Sequence, residues 1–282
     1  MRKLHYLIIL GLVACMPWKV ACANVLITEL TGNATTGEQK PVTFVTFLSE
    51  VRNGQDFELT SGARAVAVDL ASGREYVANG PGKFRVDEGG VRAVSGGTVK
   101  VRALSASNLP EVKVVVARVS QAALLMRSLF KPLNILSSAN TAVLTPTPTL
   151  SWTAVDGASA YKVRLSDSTG NTLINEQTQV NSLVIPVSAG LTSGRNYLWT
   201  VEAVDENGPL SGSAASAQFS VAPPETVRLL KSIAPQSGAS FSDRVLYAAQ
   251  LQEAGAIEDA RTIWKSLANE RPDDSILKKL AR

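Results

Sequence analysis

Histidine and cysteine are nearly missing from this sequence, and the place of the few that exist matters more than their number. The single histidine is His5 and the two cysteines are Cys15 and Cys22, all within the first 23 residues. That segment has the layout of a secretory signal. Arg2 and Lys3 make a positive start, Leu7 to Val13 is almost wholly apolar, and Ala21 and Ala23 occupy the small positions before a cleavage expected ahead of Asn24. A second exit is open at Leu12-Val13-Ala14-Cys15, which has the spelling of a lipobox with Cys15 as the lipidated residue. By either route the expectation is export, to the periplasm or to an outer-membrane-associated position. A chain beginning at Asn24 has neither histidine nor cysteine. Nucleophile systems built on a histidine base, zinc sites of imidazole or thiolate, and structural disulfides are excluded with them.

Long apolar runs are missing too. The one in the signal is too short to cross a bilayer comfortably as a permanent helix, and no later stretch is longer, so membrane contact is expected only through a lipid on Cys15. Excess charge is the next absence. The whole sequence has 28 Lys+Arg against 24 Asp+Glu, net +4. Arg2, Lys3 and Lys19 fall in the first 23 residues and no acid does, so from Asn24 onward 25 basic residues face 24 acidic ones. No basic stripe of the kind a nucleic-acid binder needs stands out. Neither a P-loop nor a dinucleotide fingerprint occurs, and no cofactor is expected.

What is present is turn and strand grammar. Val25-Leu26-Ile27 opens a strand, Val42 to Leu48 reads as another, and Arg64 to Leu70 alternates, with Val66, Val68 and Leu70 on one side and Ala65, Ala67 and Asp69 on the other. Ser72-Gly73, Gly80-Pro81-Gly82, Gly89-Gly90 and Gly96-Gly97 are turn signals, with strands expected at Lys83 to Val86 and Thr98 to Leu104. Short strands at this spacing predict a small all-β domain over residues 24–104. Within it, Phe57-Glu58-Leu59-Thr60-Ser61-Gly62-Ala63-Arg64, Val66 to Arg74 and Gly80 to Val86 resemble the FecR-type domain. The resemblance covers roughly residues 42–104 and implies a compact β structure. Family regulators place that domain after a membrane span and a cytoplasmic segment, whereas here it follows the signal, so regulation of a sigma factor does not carry over.

Residues 105–132 form a linker in which Val119 to Lys131 reads as a short helix ended by Pro132. Residues 133–222 resemble a fibronectin type III domain. The carriers are Trp152 in an early strand, Tyr161, Val163 and Leu165 on one face of the next, and Leu191-Thr192-Ser193-Gly194-Arg195-Asn196-Tyr197 before Trp199, Val201 and Ala203. The Leu191-to-Tyr197 spacing is that of a tyrosine corner, whose hydroxyl bonds back to the preceding loop.

Beyond Pro223-Pro224 the apolar period changes from two to about 3.6. Tyr247, Ala248, Leu251 and Ala254 line one helix, Gly255 breaks it, and Ile257, Ala260, Trp264, Leu267 and Ala268 line the next. Pro272 stops the second helix, Asp274 or Ser275 can cap a third, and Glu225 to Ile233 is a preceding candidate. Phe241 to Pro272 resembles one tetratricopeptide unit, with Gly255, Ala260, Trp264 and Pro272 at the small, small, aromatic and proline positions and Leu267 where alanine is usual. One such unit cannot bury its own apolar face and must lean on the sandwich, a copy of itself, or a partner.

The fold class is therefore mainly β with a C-terminal α extension: a small all-β domain, a fibronectin type III-like β-sandwich, and a helical hairpin over residues 225–282. Function is expected to be that of a non-catalytic cell-envelope scaffold or adaptor, its protein partner met by the C-terminal helices through Tyr247, Leu251 and Trp264. Glycan or peptidoglycan binding through the N-terminal β domain is the alternative, and it requires Phe44, Phe47, Phe57, Tyr76 and Phe84 to supply exposed aromatics on a sheet face. A carboxylate-dependent hydrolase would need two facing acids from Asp69, Glu75, Asp87, Glu88, Asp205, Glu206, Asp273 and Asp274, and turn chemistry accounts for these more simply. Trp152, Trp199 and Tyr161 read as sandwich core rather than a sugar platform. No catalytic or metal-ligating residue is assigned.

Overall fold

The computed structural model describes residues 24–36, 43–104 and 133–282. The expected signal with Cys15 and the expected linker with its helix lie outside the described residues. The first unit is an antiparallel sheet of β1 (Val25–Thr31), β2 (Ala34–Thr36), β3 (Thr43–Phe44), β4 (Glu50–Val51), β5 (Asp56–Leu59), β6 (Arg64–Asp69), β7 (Arg74–Asp87) and β8 (Gly90–Ala103). Their order is β3-β2-β5-β7-β6-β1-β4, with β8 beside β7. The spine is β7: its first half pairs with β6, its second half with β5, and β8 accompanies it along its length.

Two expected strand breaks are absorbed inside these long strands. Gly80-Pro81-Gly82 lies within β7 and Gly96-Gly97 within β8, where the pairing register shifts instead of ending. Such bulges need glycine. A Cβ on Gly80 would stand 2.4 Å from the Thr60 carbonyl oxygen, and Gly96 and Gly97 hold φ values of 61° and 62°. The strand expected through Leu48 is also shorter. Among the described residues only β3 remains of it, because the chain turns and Leu48 takes a φ of 61°.

The second unit contains β9 (Ile135–Ser137), β10 (Thr141–Val143), β11 (Thr149–Trp152), β12 (Ala160–Asp167), β13 (Thr172–Thr178), β14 (Ser182–Val184), β15 (Asn196–Asp205) and β16 (Gly208–Val221). They form two sheets, β10-β16-β15-β12-β13 and β14-β11-β9. Alternation along β12 and β15 sends Tyr161, Val163, Leu165, Trp199 and Val201 inward, where they meet Leu150, Trp152 and Ile185 from the smaller sheet side. Trp152 and Trp199 are fully buried, with ring centroids 6.1 Å apart. The tyrosine corner is formed: the Tyr197 hydroxyl accepts from the Thr192 backbone N–H at 2.7 Å.

Four helices follow, α1 (Pro224–Ser232), α2 (Phe241–Glu253), α3 (Ile257–Glu270) and α4 (Ser275–Leu280). A capping box between Ser240 and Asp243 starts α2, and the Asp274 carboxylate starts α4 by accepting from the Ile276 and Leu277 N–H groups. Gly255, with φ of 78°, turns α2 into α3. No helix among the described residues is long and apolar enough to cross a membrane.

The helices share one hydrophobic core with the first β unit. Leu26, Phe47, Leu48 and Val68 cluster with Leu246, Leu251, Trp264 and Leu267. This explains why both sides of β6 are buried although its sequence alternates: Ala65 and Ala67 line the sheet's own core while Val68 meets the helices.

Candidate functional site

The three side chains singled out on the helices are placed around that shared core. Leu251 and Trp264 are each 2% exposed, whereas Tyr247 is half-buried and packs against the cluster. Trp264 meets Phe47 edge-on at 6.5 Å between centroids, and its indole N–H donates to Gln252 Oε1 at 3.1 Å. The apolar stripe read as a partner surface is thus occupied from within the chain, because a short helical unit buries it against the nearest apolar sheet. Tyr247 is the one of the three with accessible surface. Burial, and secondarily the charge of Asp259, raise its hydroxyl pKa above the ordinary tyrosine value.

Polar contacts fasten both sides of the helical unit. Toward the first β unit, the Thr28 and Ser242 hydroxyls are 2.8 Å apart, and Glu29 Oε2 accepts from Arg271 at 2.7 Å and from Arg64 at 2.6 Å. The Arg271 guanidinium also lies 4.0 Å over the Phe241 ring. Beside it, Glu270 and Arg244 form a two-pronged ion pair, which holds the Glu270 carboxyl below its usual pKa.

Toward the sandwich, the contact is a nest. Ser138 and Asn140 take left-handed φ values of 55° and 52°, and this turn aims the N–H groups of Ser138 and Ala139 at one point. Glu258, in the first turn of α3, fills it: Oε2 accepts from Ser138 at 2.9 Å and Oε1 from Ala139 at 3.0 Å. The turn itself is pinned by the core, since the Trp199 indole N–H donates to the Ser138 carbonyl at 2.9 Å. Next to it the Gly255 carbonyl accepts the Ala142 N–H at 2.7 Å. Nothing in the sequence flagged Glu258 or the turn at Ser138, because neither a helix-start acid nor a serine turn announces its long-range partner.

Two clefts flank β10 at this junction. One, of about 380 Å³, includes Asn140, Asn196, Gln218 and Gly255 in its wall. The other, about 390 Å³, includes Thr141, Pro148, Lys231, Glu258 and Asp259. The Asp259 carboxylate keeps contact with solvent, yet the surrounding protein removes enough water to raise its pKa, with the Glu258 charge adding to the rise. Both Glu258 oxygens are committed to backbone donors, so this pair of acids is anchored for structure on one side.

The remaining sequence candidates are dispersed. Asp69 accepts from Ala71 and Ser72 in a turn, Asp87 pairs with Arg92, Asp205 accepts from Asn207, and Asp274 caps α4. Among the described residues no group of three or more His, Cys, Asp or Glu side chains converges on a metal-sized site. Of the aromatics that a glycan-binding face would need, Phe47, Phe57, Tyr76 and Phe84 are buried, and Phe44 is 70% exposed. The sheet rolls their face inward: Phe57 and Phe84 stack at 5.3 Å, and Tyr76 donates its hydroxyl to the Gly89 carbonyl.

The fold of the second β unit is that of an immunoglobulin or fibronectin type III-like sandwich. Residues 137–225 match the model of the Rha78A-like N-terminal immunoglobulin domain. Among solved structures, FN3tt is 21% identical, and the match covers 33% of this chain and 89% of that one, with a TM-score of 0.22. The apo β-glucuronidase of Ruminococcus gnavus is 14% identical over 71% of this chain and 33% of that one, and its complex with D-glucuronic acid is 13% identical over 70% and 33%, each with a TM-score of 0.23. The matched region therefore spans about a third of the glucuronidase chains and carries nothing about activity. No curated protein sequence matches the chain.

Proposed function

We propose that the chain is a non-catalytic adaptor of the bacterial cell envelope, in which the C-terminal helices hold two β units in a fixed relation. The observation that supports this best is the double attachment of the helical unit. It shares a hydrophobic core with the first β unit and places Glu258 in a nest on the second. Adaptors of this kind present sheet edges and loops, and a rigid relation between modules lowers the entropy lost when a partner engages both. The resemblance of residues 42–104 to FecR-type domains and of Phe241 to Pro272 to a tetratricopeptide unit fits the same reading, as both are binding or architectural modules. Export is the proposal of the N-terminal sequence. The partner surface moves from Leu251 and Trp264, which are buried, to the exposed β surfaces and the accessible part of Tyr247.

The test is partner capture from chemically cross-linked envelopes, comparing the intact chain with a Glu258→Ala/Arg271→Ala variant. These changes loosen both attachments and leave the apolar helix face covered, which truncation at Pro223 would not. Partners captured by the intact chain are expected to fall away with the variant while circular dichroism stays native-like. Equal capture by both proteins would remove the fixed relation from the function. Turnover of a glycoside by the purified chain, lost on a single Asp or Glu substitution, would replace the adaptor with an enzyme.

A further inference from the structure

The far end of β8 is unusual for an edge strand. Among the described residues β8 pairs only with β7, so its outer backbone row is open from Thr98 to Ala103. Edge strands are normally shielded on at least one face, yet Thr98, Lys100, Val101, Arg102 and Ala103 are all exposed. The two faces differ. Val99 and Val101 stand opposite Ala78 and Tyr76, which belong to the sheet's core, and they continue that apolar face into solvent, Val101 at 56% exposure. Lys100 and Arg102 stand on the other face, opposite Val77 and Glu75, and neither is held in an ion pair among the described residues. The Gly96-Gly97 bulge lies just ahead of this stretch.

Charge decides between occupants. No acid occurs between Gly90 and Leu104, so a second copy laid along this edge would bring Lys100 and Arg102 against cations of its own kind. Residues 105–132, which follow directly, have Lys113, Arg118, Arg127 and Lys131 against the single acid Glu111. Neither a second copy nor the net charge of that following stretch complements Lys100 and Arg102. We propose that the open edge at Thr98–Ala103 takes an extended acidic segment of another protein as an added strand, with β-branched or small apolar residues over Val99 and Val101 and carboxylates beside Lys100 and Arg102. Backbone hydrogen bonds would supply affinity, and the alternation of side chains would supply selection. This deepens the adaptor reading by giving the partner a chemistry, and it can be tested on the purified chain irrespective of export or of the helical attachment.

The probe is a short blocked peptide alternating valine and glutamate, with one alternating valine and lysine as its opposite, each labelled for fluorescence anisotropy. The glutamate peptide is expected to bind the full chain in a salt-sensitive manner and to protect from hydrogen exchange the β8 amides that face away from β7. A Lys100→Glu/Arg102→Glu variant should reverse the preference by about tenfold, as two cross-strand charge pairs change sign. Both side chains are exposed, but Arg102→Glu faces Glu75 of β7, so near-ultraviolet circular dichroism checks that the variant keeps its fold. The single Lys100→Glu variant, opposite Val77, should shift the preference in the same direction. Absence of binding, equal binding of both peptides, an unchanged preference in the variant, or outward-facing β8 amides (those not bonded to β7) already protected without peptide would each overturn the proposal. Dimerisation of the chain through this edge, seen by sedimentation, would overturn it as well.

Discussion

Replacing Glu258 by alanine tests the junction between helices and sandwich most directly. The carboxylate accepts two backbone N–H groups at 2.9 and 3.0 Å, and one donor, Ser138, is in a residue only 2% exposed. Hydrogen bonds to a charged acceptor contribute roughly 1.5–3 kcal/mol each, and a buried N–H left without a partner is costly in itself. The helix-start position adds about 0.3–1 kcal/mol through the α3 dipole. Since Glu258 is only partly buried, water can replace part of what is lost, and the net expected destabilisation is about 2–3 kcal/mol. For a chain of this size that corresponds to a fall in Tm of roughly 4–10 °C. Glu258→Gln keeps one good acceptor and should lose about half as much. Thermal unfolding followed by tryptophan fluorescence gives the magnitude, and hydrogen exchange at the Ser138 and Ala139 amides gives the location. A Glu258→Ala protein within about 0.5 kcal/mol of the parent, the range of an ordinary surface change, with unaltered exchange at those two amides would refute the reasoning.

Three further outcomes are expected. Phe47→Ala and Trp264→Ala should each cost about 3–5 kcal/mol, and because the rings touch across two units, the double variant should cost less than the two losses added together; strict additivity in denaturant unfolding would mean that the first β unit and the helices do not share a core. Tyr197→Phe should lose about 1 kcal/mol by leaving the Thr192 N–H without its acceptor, measured by the urea midpoint, and an unchanged midpoint would show the corner bond to be energetically idle. For Asp259 the folded pKa is raised above the ordinary aspartate value of 3.8, so the folded state binds the proton more tightly and ionisation weighs against folding as pH rises past that value. Asp259→Asn should therefore raise the Tm at pH 7 and leave it unchanged near pH 3, and the opposite pH trend would reverse the assignment.

The helical unit gives the chain its particular character. A single hairpin of this length has too little apolar surface to fold by itself, and isolated helices of 13 or 14 residues are marginal in water. Packing α2 and α3 on the sheet that carries Leu26 and Val68 resolves both problems, and it covers a face of β6 that would otherwise be bare. The N-terminal β unit and the helices are far apart in sequence, with Thr28 and Ser242 joined across 214 residues. Their contact makes the first and last described parts of the chain one body of side-chain packing.

Much was written locally. Strand alternation, the Leu191-to-Tyr197 spacing, Gly255 between two helices and Asp274 at the start of α4 act over a few residues through dihedral preference, side-chain period and capping, and each appears in the structure as the local rule requires. The mainly β fold with a C-terminal α extension followed from these. Glycines are less legible where tertiary crowding sets their role: Gly80 and Gly96-Gly97 bend continuous strands instead of ending them, since neighbouring backbone leaves no space for a Cβ. Tyr247, Leu251 and Trp264 lie on the apolar side of their helices as the period requires, but periodicity gives a direction and not the surface that meets it. Only the tertiary structure decided that Leu251 and Trp264 share a core with Phe47 and Leu26 within the same chain, that Glu258 fills a nest 120 residues away, and that β8, among the described residues, pairs with β7 alone. The physical reason is the same in each case: the sequence specifies local conformation through neighbours, whereas which apolar faces and unpaired backbone groups find one another depends on contacts distant along the chain.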